Sequence, residues 1–68
     1  MFICTMITNA TIYKDYAKTE KEIIGQTFKV IGKTRAGAHY NALQKIHDYM
    51  NNPFVENVEI IAGWTEEI

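Results

Sequence analysis

Few residues in this chain have types that could do chemistry, and their spacing argues against it. His39 and His47 lie eight positions apart. On a helix that is two turns and about 12 Å of rise, too far to share one metal ion. Asp48 adjoins His47 but points about 100° away around the same helix. Cys4 sits among apolar residues with no basic neighbour to favour its thiolate, and a buried cysteine behaves as a small hydrophobe. Glu66 and Glu67 are the only adjacent carboxylates, and they fall in a stretch expected to be a tail, where no rigid scaffold holds them. Gly32-Lys33-Thr34-Arg35 resembles the end of a phosphate-binding loop. The upstream glycine of that motif is missing, and the chain is too short for a nucleotide fold. The reading is a protein that is not an enzyme, with no metal and no cofactor.

Basic and aromatic residues offer a different chemistry, that of binding. Lys14, Lys18 and Lys21 mark one segment; Lys29, Lys33 and Arg35 mark another, just before a helix. Tyr13, Tyr16 and Trp64 are residue types that anchor interfaces or stack on bases. The candidate partner-binding set is Lys29, Lys33, Arg35, Tyr13, Tyr16 and Trp64. The net charge of −1 and a pI near 6.0 weigh against nucleic acid, whose binding domains are commonly basic. That net value hides an asymmetry. Residues 1–35 carry Lys14, Lys18, Lys21, Lys29, Lys33 and Arg35 against Asp15, Glu20 and Glu22; residues 36–68 carry Lys45 against Asp48, Glu56, Glu59, Glu66 and Glu67. Such a bipolar distribution can steer a charged partner or favour self-association.

These residues must be positioned by a small scaffold. Sixty-eight residues make one domain, 1–68, with an expected stability on the order of 3–5 kcal/mol. Its single cysteine excludes an internal disulfide and the usual cysteine-rich zinc site. The apolar run from Phe2 to Ile7 is too short to span a membrane and lacks the flanks of a secretory signal. The expected location is cytoplasmic.

Along the chain, Phe2 to Tyr13 alternates with period two, the even positions being the more apolar, as a strand with one buried face requires. Asp15 to Glu22 reads as the exposed turn of a hairpin. A second strand is expected over Ile23 to Lys33, with Ile24, Phe28 and Val30 on one face, Thr27 and Lys29 on the other, and a bulge or bend at Gly25 and Gly32. Thr34 is a suitable helix N-cap. After it, Ala36, Tyr40, Leu43, Ile46, His47 and Met50 recur at helical spacing, with Ala42 and Tyr49 beside them. Asn51-Asn52-Pro53 ends the helix, with an asparagine suited to a left-handed terminus. A last strand is expected over Val55 to Trp64, placing Val58, Ile60, Ala62 and Trp64 on one face, followed by an acidic tail at 65–68. The expected fold is α+β: a β-β-α-β, mainly antiparallel three-stranded sheet in the order 2-1-3, one helix packed on one face. Two strand edges remain open, and open edges invite strand addition.

The short length, this element order and the Lys/Asn/Ile-rich usage resemble those of small phage-encoded inhibitor proteins, the anti-CRISPR proteins among them. The resemblance covers the whole chain in layout and carries no motif. It implies a module that occupies the surface of a protein partner, often one that normally receives nucleic acid, in the host cytoplasm. Lys29, Lys33 and Arg35 on ordered elements would grip an acidic patch; Glu56, Glu59, Glu66 and Glu67 would instead cover a basic channel. Homodimerisation is the accompanying expectation, and a small nucleic-acid-binding protein is the competing one.

Overall fold

The computed structural model describes all 68 residues. Strand β1 (Phe2–Tyr13) and strand β2 (Lys21–Gly32) form a hairpin, helix α1 (Arg35–Met50) follows, and strand β3 (Val55–Glu67) returns to the sheet. The order is β2-β1-β3, and both neighbours of β1 are antiparallel to it. This is the expected α+β architecture. Its central strand contains no charged residue, as suits a strand paired on both sides and covered on one face.

The hairpin turn is pinned by Asp15, whose carboxylate accepts from the backbone N–H groups of Thr19 and Glu20 and from the Thr19 hydroxyl. Lys18 takes a left-handed conformation there, at φ 58°. The pairing of β1 with β2 is unbroken from Phe2↔Gly32 to Tyr13↔Lys21. Gly25 therefore lies in regular strand, and the bulge expected there is absent.

The irregularities fall in β3. Its register against β1 shifts between Ile7 and Thr8 and again between Thr11 and Ile12. The extra residues are Ile61 and Glu56. The first shift changes which face each side chain takes, because strand side chains alternate strictly. Val58 and Ile60 pair with Ala10 and Thr8 on the helix side, whereas Ala62 and Trp64 pair with Ile7 and Thr5 on the opposite side. The single apolar face expected for Val58, Ile60, Ala62 and Trp64 is thus split in two. Thr65 to Glu67, expected as a tail, are the end of β3, and Ile68 N–H donates to the carbonyl of Met1 (3.0 Å).

Thr34 caps α1 as expected, its hydroxyl accepting from Gly37 N–H. The helix face that packs is Ala38, Ala42 and Ile46, with Tyr49 set edge-on against Phe28 at 5.8 Å. This corrects the expected stripe. Tyr40, Leu43 and Met50 stay exposed, and His47 with them. The reason is close approach: a Cβ on Gly32 would overlap the backbone of Ala38, so small residues must meet at the contact and the bulky ones rotate outward. At its far end the helix finishes right-handed, Asn51 having φ −73°, and not in the expected left-handed turn. The Asn52 side chain then accepts from Phe54 N–H (2.9 Å) and turns the chain into β3.

The resulting core is thin. Cys4, Met6, Ala38, Ala42 and Ile46 form it, with Phe2, Phe28, Val30 and Val58 packed at its margin. Thr8 is fully buried beside them and satisfies its hydroxyl by donating to the carbonyl of Gln26 (2.9 Å). The side-chain oxygen of Gln26 is also buried and has no protein partner.

Candidate functional site

The antiparallel register carries the residues singled out from the sequence to three different places. Lys29 and Trp64 flank Thr5 on either side, in one row across the face of the sheet that carries no helix. Thr5 is only 5% exposed although no element covers it. Around it on the same face lie Ile3 and Ile7 from β1, Ile31 from β2 and Ala62 from β3. Ile7, Ile31 and Trp64 are all well exposed. This apolar half-face was not singled out from the sequence. Its signal was present in the odd positions Ile3 and Ile7, but the β3 bulge that adds Trp64 to it left none.

Arg35 goes to the other side of the sheet. Its guanidinium lies 5.1 Å from the ring centre of Phe2 and donates to the carbonyl of Thr65 (2.6 Å). There it borders a groove of about 730 Å³ between α1 and β3. Cys4 and Met6 form its floor; Ala36, His39 and Leu43 stand on the helix wall, and Ile60, Gly63, Trp64 and Thr65 on the strand wall. Trp64, at the β3 edge, therefore borders this groove together with Arg35. The groove exists because the helix leans towards β2, where Asn41 donates to the carbonyl of Ile31 (3.2 Å). Gly63 keeps it open at the level of Met6, since a Cβ there would come within 2.5 Å of the Met6 sulfur. Lys33 sits in the exposed link between β2 and α1 at the same end.

Tyr13 and Tyr16 occupy the opposite end of the sheet. Tyr13 lies eight residues from Thr5 along β1, about 27 Å. The ammonium groups of Lys18 and Lys21 stand 5.4 and 5.6 Å from its ring centre, and Lys21 also pairs with Glu56 at 3.0 Å. The Glu56 carboxylate raises the pKa of Lys21 by accepting its hydrogen bond and by its charge. Asp15 is shifted the other way: the Thr19 hydroxyl, with the backbone N–H groups of Glu20 and Thr19, lowers its pKa. Tyr16 is almost wholly exposed and meets Phe54 edge-on at 5.2 Å. The six candidate residues are therefore not one patch.

The groups with chemical potential are dispersed as well. Cys4 is buried in the core, His39 borders the groove and His47 points to solvent. No three histidine, cysteine or carboxylate side chains are grouped to hold a metal ion. No helix is long and apolar enough to cross a membrane.

Comparison with known proteins adds no relative. No family model matches the chain, and neither a curated protein nor a solved structure matches it.

Proposed function

We propose that this protein is a non-enzymatic binding module that acts by occupying the surface of a protein partner. The observation that carries the reading is the groove between α1 and β3. It is lined mostly by apolar side chains, with Arg35 and His39 the only ionisable groups able to carry positive charge on its wall. A groove of this kind takes apolar side chains of a partner segment and orients them through a few polar contacts. Arg35, with Lys33 nearby, selects a segment that carries a carboxylate, since guanidinium groups bind carboxylates in a defined geometry. An inhibitor that covers a host surface normally visited by nucleic acid, in the manner of the small phage-encoded proteins this chain resembles in layout, would act in this way from the host cytoplasm.

A second reading rests on the hairpin end, where Lys14, Lys18, Lys21, Tyr13 and Tyr16 gather. This set is suited to phosphate contacts and base stacking by a small nucleic-acid-binding protein. Against it, Tyr13 and Lys21 already engage one another and Glu56.

A tagged pull-down from host lysate, with and without nuclease, separates the two. The expected result is one protein retained after nuclease and lost when Leu43→Lys or Arg35→Glu is introduced. Glu67→Lys should leave it in place, because an acidic patch on the partner would not depend on that carboxylate. Recovery that vanishes with nuclease, together with a steep fall in affinity as salt rises, would replace this reading by the second.

A further inference from the structure

The sheet face without a helix has a charge pattern that the groove does not share. Its middle strand is uncharged. On the β2 side it carries Lys29 and, paired within the chain to Glu56, Lys21. On the β3 side it carries Glu59 and Glu66, placed there by their pairing with Asn9 and Ile3. Along the strands the same face divides again. Ile3, Ile7, Ile31, Ala62 and Trp64 make one half mainly apolar, whereas the other half is more polar, with Asn9, Thr11, Glu59 and Asn57 beside the apolar Ile23 and Tyr13.

We propose that this face binds a second copy of the chain, through a twofold axis lying between the two sheets and parallel to β1. Rotation about that axis preserves position along the strands and exchanges left for right. The apolar half of one copy then meets the apolar half of the other, and each basic β2 flank meets an acidic β3 flank. Lys29 faces Glu66 of the second copy with an offset of two residues, about 7 Å along the strand, across sheets about 10 Å apart. Long side chains span that gap. An axis running across the strands does the opposite and sets β2 on β2. Centred on the sheet it lays the apolar half on the polar half, and shifted to bring the apolar halves together it sets Lys29 against Lys29. Like charges so placed disfavour it.

The area is sufficient. Three strands of about twelve residues cover roughly 14 by 40 Å. Two such faces remove about 1,100 Å² from water, just above the size at which specific interfaces begin, about 1,000 Å². The need is also present, because only 9 of 68 residues are buried in the single chain. The groove opens on the helix side of the sheet and shares only Trp64 with this face. Ile7, Lys29 and Glu66 do not line it, so variants at these three test the dimer separately from the partner reading.

Sedimentation equilibrium over a concentration series tests it. The chain is expected to dimerise, and Ile7→Lys to weaken the dimer by roughly thirtyfold or more, as loss of a central apolar contact does. Lys29→Glu and Glu66→Lys should each weaken it about threefold, the scale of a rim ion pair. Lys29→Glu together with Glu66→Lys in one chain should restore the affinity, since each pair reforms between copies with its signs exchanged. The charge variants carry the test even if Ile7→Lys does not fold, which far-ultraviolet circular dichroism would reveal. A monomer at millimolar concentration overturns the proposal. So does a dimer indifferent to Ile7→Lys, which would be paired through its strand edges, and so does a dimer tightened by Lys29→Gln, which would use the crosswise axis and lose its like-charge pair.

Discussion

The two faces of the sheet are built from the same alternating strand β1 and reach opposite ends. Its even positions Cys4, Met6, Thr8 and Ala10 are buried under the helix, while of the odd ones only Thr5 is. The helix face is packed by small residues at close range; the other face keeps larger side chains with nothing over them. Close packing leaves little room for error, and an uncovered face tolerates substitution as long as the chain is alone. Stability changes on the first face should therefore be large and those on the second small.

Gly32→Val is the sharpest way to break the contrast. A side chain there meets the backbone of Ala38, which cannot swing aside, and overpacking of this kind costs about 3 kcal/mol or more. For a domain this small, the expected outcome in a urea titration is loss of the folded baseline. Ile46→Ala follows, at about 2–4 kcal/mol for truncating a buried side chain in the core. Ile7→Ala, on the uncovered face, should cost under about 1 kcal/mol at protein concentrations where the chain is monomeric. Equal losses at Ile46 and Ile7 would erase the distinction between the faces.

Gln26→Met tests the polar exception on the packed face. It removes a buried oxygen that has no protein partner at similar volume, and should raise the urea midpoint by an amount equivalent to about 1 kcal/mol. Thr34→Ala removes the N-cap bond to Gly37 and should cost about 1 kcal/mol.

The smallest effect is at the hairpin turn. The folded pKa of Asp15 lies below its unfolded value, so its contribution is present above the unfolded pKa. It is lost as pH falls through the folded one. Nuclear magnetic resonance titration of the Asp15 carboxyl should show the lowered midpoint in the folded chain, and Thr19→Val should move it back towards the ordinary aspartate range.

Much of the fold was legible in the sequence. Period-two alternation marked β1 to the residue, Thr34 and Asn51 bracketed the helix, and two antiparallel pairings with β1 gave the strand order. The helix face was misjudged because hydrophobic spacing counts Tyr40, Leu43 and Met50 as core, whereas distance decides burial. Gly32 and Ala38 bring the helix so close that only small residues fit between it and the sheet. The candidate binding residues were legible as types but not as a patch. Lys29 and Trp64 are 35 positions apart in the chain yet share a row because both pair with Thr5.

What the sequence by itself determined is local: strand periodicity, caps, the turn and the uneven charge of its two halves. The tertiary structure alone decided that the charge asymmetry runs sideways across the sheet, from β2 to β3, with an uncharged strand between. It also decided the faces of β3. One unpaired residue at Ile61 turns every later side chain over, and no pattern within a strand can announce which partner it will fail to match.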